Sequence, residues 1–312
     1  MINIILMALV PIFFVLLLGF FAGKYHVVDN THVGSLNTVV MSYAIPASLF
    51  VATAATPRQD MLAQWPVLVI LGGAMMLLYP LWYLLQRCVL RTSSSEAALQ
   101  ALTVSLPNYA AAGLPVALAL LGPGHVVPVA VAIAAGSLLP SPVTLALLEL
   151  SVAKQNGSAV MRAARAVGHA LIKPIVLAPI IGTLFSLLSW SLPSVAAASL
   201  RQIGQAAGGL ALFVTGLILS AQRFRLSWNV ALATVIANIV QPLLAFAIAM
   251  VLGVPASIMK ISVLMAALPS GFFGILFGSS YGLVSEESDS TVIASTAVSM
   301  LTLAVAIAWL YG

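Results

Sequence analysis

Apolar runs of roughly twenty residues, separated by short polar connections, fill the chain from end to end. They are apolar on every face, without the single stripe of a soluble helix. They also lack the alternation over about ten residues that marks a transmembrane strand. The pattern predicts ten membrane-spanning helices, over 2–23, 36–56, 64–87, 97–121, 126–150, 168–190, 203–221, 228–252, 257–282 and 291–311. The connection around 151–167 is the longest and divides the chain into two five-helix halves, 1–150 and 168–312.

Composition narrows the class. Of the 312 residues 62% are hydrophobic and 6% charged, against roughly 25% charged in soluble domains. The expected fold class is therefore an all-α polytopic membrane protein. The net charge of +5 could suggest a nucleic-acid partner, but the basic residues are scattered over short loops, where they report topology instead. With ten spans, three Lys or Arg (Arg58, Arg201, Lys260) fall on the side of the termini and nine on the other. The nine-residue side is expected to be cytoplasmic, with both termini periplasmic or extracellular and the 151–167 linker cytoplasmic. No Lys or Arg precedes the first run, so 2–23 reads as a retained span rather than a signal peptide. The lone Cys88 reads as inert packing, and Glu286, Glu287 and Asp289 as a solvated turn. Ser93 and Glu96 have the spacing of a capping box.

The fourth span is interrupted. Residues 106–115 read Leu-Pro-Asn-Tyr-Ala-Ala-Ala-Gly-Leu-Pro. Proline removes a backbone donor and clashes with the preceding turn, and lipid offers the freed groups no water. Such a break belongs against protein or a wet cavity. The two halves also match at a nearly constant offset. Pro11, Gly19, Phe50 and Trp65 recur 163 residues later as Pro174, Gly182, Phe213 and Trp228. Pro80 and Leu106-Pro107 recur 162 later as Pro242 and Leu268-Pro269. Five spans per copy make the repeat inverted, the architecture of secondary transporters. The match pairs span four with span nine, where Pro269 is followed by Ser270, Gly271 and Gly274. Helices four and nine are thus expected to be broken and to cross near the midplane.

Every Asp, Glu, Lys and Arg falls in a loop or at a span end. An anion would then have to be held by the N–H groups of half-helix N-termini and by neutral side chains. Candidate residues are Asn108, which offers two amide donors, with Tyr109, Ser270, Pro107, Gly113, Pro115, Pro269, Gly271 and Gly274. Pro46, Asn238 and Gln241 are further candidates that interhelical hydrogen bonding explains as well. Pro140 and Pro142 are expected to kink span five, and Lys260 to snorkel. The four histidines lack metal-ligand spacing, no serine has a mid-membrane His or Asp partner, and no nucleotide-binding loop is present. No catalysis, metal or cofactor is expected.

The element Asn108-x-x-x-x-Gly113-Leu114-Pro115, within ten spans and two inverted halves, resembles the auxin efflux carrier family. That resemblance implies broken helices that cross at prolines and hold a carboxylate, with Asn108 contacting it and Pro107, Pro115 and Pro269 shaping the crossing. It implies a bacterial inner-membrane carrier of small anions such as malonate, with elevator or rocking motion and a possible homodimer. Where many members carry an Asn after the span-nine proline, this chain has Ser270, Gly271, Phe272 and Phe273. Alternative readings are a sodium-coupled organic-anion symporter of the bile-acid type and a non-transporting membrane sensor.

Overall fold

The computed structural model describes residues 2–29, 33–122, 125–152, 168 and 172–311. Most of the predicted linker, with Lys154, Arg162 and Arg165, lies outside the described residues, as do His32 and His169. Every predicted span contains helix. The helices are α1 (Ile2–Lys24), α2 (Val33–Ala54), α3 (Arg58–Val89), α4 (Ser94–Ser105), α5 (Tyr109–Leu121), α6 (Val126–Ser151), α7 (Pro174–Leu187), α8 (Ser194–Ala221), α9 (Trp228–Leu252), α10 (Ala256–Ala266), α11 (Phe273–Ser280) and α12 (Glu286–Tyr311). Six of them, α2, α3, α6, α8, α9 and α12, are long and apolar enough to cross a bilayer. Large hydrophobic side chains stand on the outer faces of the helices, among them Phe14 of α1, Leu81 of α3, Val251 of α9 and Leu301 and Val305 of α12, each more than half exposed. A soluble monomer does not present apolar surface on this scale; the chain is a multi-pass membrane protein.

Proline explains much of the local geometry. In α2, α5 and α9 a five-residue π turn (Val40–Ala44, Tyr109–Gly113 and Ile236–Val240) ends two residues before Pro46, Pro115 and Pro242. A proline ring collides with the carbonyl four residues back. Widening the preceding turn to an i→i+5 bond draws that carbonyl aside, so the helix continues through the proline. At Pro140 the helix instead kinks, with Leu139 off helical geometry (φ −109°, ψ −80°).

Three expectations are corrected. Helix α8 begins at Ser194, inside what reads as a loop, because its Ala-rich first turns favour helix without being apolar enough to look like a span. The 286–290 stretch is the first turn of α12, where its carboxylates complement the helix dipole. Asp289 there is only 6% exposed, so it does not belong to a solvated turn. Cys88 is exposed rather than packed. Lys260 places its Nζ 5.2 Å from the centre of the Tyr311 ring, the reach to a span end expected of a snorkelling lysine.

The helices pack as two groups. In one, α1 lies along α8 and α2 along α7. In the other, α3–α6 and α9–α12 pack together, with α4 on α3 and α10 on α9. The groups meet mainly through α5, α6 and α12. Glycines set the closest approaches in the first group. A Cβ on Gly19 would lie 2.0 Å from the carbonyl oxygen of Phe213. A Cβ on Gly182 would lie 2.8 Å from that of Phe50 and 2.0 Å from Thr53 Oγ1. Gly19 and Gly182 correspond in the sequence match, and so do Phe50 and Phe213; the two contacts are the same contact with the halves exchanged.

Adding a methyl at either glycine overpacks a backbone contact, which costs about 1–3 kcal/mol. Gly19→Ala and Gly182→Ala are each expected to melt below wild type in detergent by scanning fluorimetry. Gly34→Ala, whose Cβ meets nothing within 4 Å, is expected not to. Melting of Gly19→Ala and Gly182→Ala at the wild-type temperature would contradict the packing.

Candidate functional site

Helix α4 stops at Ser105 because Leu106 precedes a proline, a position pushed out of helical geometry and found here at φ −108°, ψ 101°. Leu268-Pro269 interrupts α10 and α11 in the same way. The two breaks lie against each other. Asn108 N–H donates to the carbonyl of Pro269 at 2.8 Å, and Gly271 N–H donates to that of Leu106 at 2.8 Å. The result is an antiparallel bridge between Pro107 and Ser270, the β-type pairing found among the described residues. The bridge pairs the Leu106 and Pro269 carbonyls with N–H groups of the opposite break.

Glycine permits this approach. A Cβ on Gly271 would lie 2.9 Å from the Leu106 oxygen, and one on Gly274 would lie 2.2 Å from Thr103 Oγ1 of α4. Asn108 caps α5: its Oδ1 accepts from Ala111 N–H at 3.1 Å, and its Nδ2 takes no part in that bond. Beside it, the Tyr109 hydroxyl is buried without a hydrogen-bond partner, as is the Ser270 hydroxyl on the opposite break. Each residue is 2% exposed. An unpaired buried hydroxyl costs about 1–3 kcal/mol, and two of them belong to residues of this crossing.

The other candidates divide. Gln241 Nε2 donates to the Ser105 carbonyl at 2.7 Å, holding the end of α4. Asn238 accepts from Ser295 Oγ at 2.6 Å, and Ser295 Oγ accepts from Ser270 N–H at 2.8 Å. Both buried amides therefore reach the crossing through its backbone and position it. Gly113 ends the π turn against Leu268 and Met265 of the opposite break region. Pro115 lies one turn along α5, against Gly208 of α8. Pro46 follows the π turn of α2 and takes no part in the hydrogen bonds of the crossing.

Sequence reading misses three features. Ser295 is one; nothing in its local sequence signals its bridging role. Ser137 and Ser141 of α6 are the second. With Pro107 and Tyr109 they border a cavity of about 20 Å³, room for one water-sized group. The third is a chain of amides at the far end of α4. Gln86 Nε2 donates to Asn229 Oδ1 (2.7 Å), Asn229 Nδ2 to Gln100 Oε1 (2.9 Å), and Gln100 Nε2 to Glu96 Oε1 (2.6 Å). Ser285 Oγ also donates to Glu96 at 2.6 Å. Ser93 Oγ accepts from Glu96 N–H as a capping box requires, but the Glu96 carboxylate turns to Gln100 and Ser285 instead of back to Ser93. The i, i+4 spacing of Glu96 and Gln100 is the one local signal of this network.

Cavities approach the crossing from both ends. One of about 1020 Å³ lies between the two helix groups and has Leu114 and Pro115 of α5 along one wall. One of about 310 Å³ at the opposite end reaches Gly274 and Gly278 of α11, with Asp289 and Ser285. Asn108, 4% exposed, lines neither.

Two interrupted helices, bridged through their backbones within an apolar helical bundle, are an arrangement found in secondary transporters. The model of the family described as membrane transport protein matches residues 4–307, and the chain belongs to that family, the auxin efflux carriers. It is 29% identical to "Uncharacterized transporter YfdV" of Escherichia coli (strain K12), over 97% of this chain and 96% of that protein. It is 24% identical to "Putative malonate transporter" of Rhizobium meliloti (strain 1021), over 94% of this chain and 91% of that protein.

The unpaired hydroxyls separate stability from function. Tyr109→Phe and Ser270→Ala remove no hydrogen bond from the folded chain, so each is expected to melt at or above the wild-type temperature while transport falls. Loss of thermal stability in both variants, with transport unchanged, would show that the hydroxyls serve the fold.

Proposed function

We propose that the protein is a secondary transporter of small organic anions, carboxylates such as malonate, working by alternating access. The observation that carries this reading is the donor-rich crossing: the Nδ2 of Asn108 and the unpaired hydroxyls of Tyr109 and Ser270 stand on two mutually bonded breaks. Amide N–H and hydroxyl groups donate to a carboxylate, and the N-termini of α5 and α11 add their dipoles. Malonate is favoured among carboxylates by the name of the Rhizobium meliloti relative.

On this reading the chain is two inverted five-helix halves, 1–150 and 168–312, joined by the 151–167 linker. The exchanged Gly19–Phe213 and Gly182–Phe50 contacts support that repeat. The group of α3–α6 and α9–α12 moves as an elevator against α1, α2, α7 and α8, carrying the crossing from one cavity to the other. The membrane is a bacterial inner membrane, and the excess of Lys and Arg on one side supports both termini on the periplasmic or extracellular side. The unit is a homodimer, and flux is coupled to protons or driven by the membrane potential.

A hydrogen bond to a charged group is worth about 1.5–3 kcal/mol, and each 1.4 kcal/mol is about tenfold. Asn108→Ala is therefore expected to lower uptake of radiolabelled malonate into proteoliposomes by about tenfold or more. Failure of the wild type to take up any small carboxylate, or an unimpaired Asn108→Ala, overturns the reading; uptake that requires sodium would move it to a sodium symporter.

A further inference from the structure

The 1020 Å³ cavity does more than reach α5. One wall comes from α2 and α8, with Ser48, Thr56, Gln205 and Gly208, and the other from α5 and α6. Leu114 and Pro115 of α5 line it on the side of the crossing, Pro115 against Gly208 of the opposite wall. A second cavity of about 500 Å³ adjoins it and shares Thr56, Pro57 and Arg201. Arg201 therefore faces both. Arg58 lines the smaller cavity and Asp60 the larger. Among the described residues neither arginine has an ion-pair partner; the described salt bridge is Arg225–Glu286, near the opposite cavity.

The charge census gives this placement its weight. On the proposed orientation only three basic residues remain on the outer face, Arg58, Arg201 and Lys260. Lys260 is spent over the ring of Tyr311. The other two stand at one pair of joined cavities, with Asp60 as the opposing charge. A cationic cleft with apolar walls concentrates anions, and a planar guanidinium matches a carboxylate with two parallel hydrogen bonds.

We propose that this cavity is the outer vestibule of the transport path and that Arg201 is an anion-docking residue within it. A small carboxylate pairs first with Arg201, in competition with Asp60, and passes to the crossing when the contact of Pro115 with Gly208 opens. The proposal rests on the transporter reading for its substrate, but not for its electrostatics, so its test has two arms.

In the first arm, malonate uptake is measured in oriented proteoliposomes. Arg201→Gln is expected to raise KM from the vestibule side by about fivefold to tenfold, less at high salt, with kcat within about twofold and KM from the opposite side unchanged. Arg201→Lys, which keeps the charge but not the fork, is expected to fall between. A KM that is unchanged, or raised equally from both sides, overturns the proposal.

The second arm needs no transported substrate. Gly209 borders the cavity, and a side chain there meets nothing within 4 Å. Gly209→Cys is made with Cys88→Ser, since Cys88 is exposed. A membrane-impermeant anionic thiosulfonate is expected to label it faster than a cationic one, and Arg201→Gln to abolish that preference. Equal rates, or a preference that survives Arg201→Gln, overturn the vestibule assignment whether or not malonate is the substrate. Absence of carboxylate uptake with the labelling preference intact would sink the substrate reading alone.

Discussion

Two backbone hydrogen bonds, Asn108 to Pro269 and Gly271 to Leu106, are the condition on which the rest of this architecture depends. A helix broken in an apolar environment exposes donors and acceptors that cost several kcal/mol each when unsatisfied. Neither break can repair itself, because proline has removed a donor and pushed the preceding residue out of the helix. Each is repaired in part by the other, through these two bonds. The arrangement then constrains what surrounds it. Gly271 and Gly274 must lack side chains, Gln241 must reach the Ser105 carbonyl, and Ser295 must meet the amide of Ser270. Three buried polar side chains from two other helices, Asn238, Gln241 and Ser295, serve this one junction.

The same economy explains where the polar chemistry is not. Hydroxyls elsewhere in the helices largely donate to the carbonyl one turn back, as Thr53, Thr103, Thr215 and Thr296 do. Tyr109 and Ser270 do not. Their groups lie beside a bridge that already consumes its own backbone, so they add nothing to it. A buried donor without a partner in the empty protein is preorganised for a ligand that brings acceptors, and a carboxylate brings two oxygens. Neutral donors have a further consequence. On the proposed reading they would bind an anion without a fixed countercharge, and no uncompensated charge would be carried through an apolar bundle.

Much of this was legible in the sequence, and the reason is periodicity and proline. The spans follow from apolar length, the breaks from Pro107 and Pro269, and the partner of the first break from the offset between the halves. That offset also anticipates the exchange of Gly19 and Gly182 between Phe213 and Phe50, although a close glycine contact cannot be read from one position alone. What stayed hidden depends on long-range geometry. Ser295 lies 57 residues from Asn238 and 25 from Ser270, with no local pattern to link them. Asp289 reads as part of a polar loop, yet it is buried because α12 starts a turn earlier than hydropathy suggests. Glu96 has the spacing of a cap and half the behaviour of one, since Gln100 and Ser285 offer it better partners.

The distribution of interhelical bonds differs within and between the two helix groups. Those at the crossing, Gln241 to Ser105 and Asn238 with Ser295, join α4, α9 and α12, all within one helix group. The amide chain from Gln86 through Asn229 and Gln100 to Glu96 ties α3, α9 and α4 in the same group. Across the boundary polar bonds are fewer, with Thr183 Oγ1 to Met61 Sδ (3.8 Å) between α7 and α3, and the contacts include Pro115 on Gly208 and α5 along the small residues that open α8. Polar bonds have preferred partners and resist sliding, whereas contacts of small apolar side chains lose little when one surface shifts along another. Internal cross-linking by amides, with proline and glycine at the boundary, is what supports the proposed motion of this group as one body, with the bridged breaks inside it.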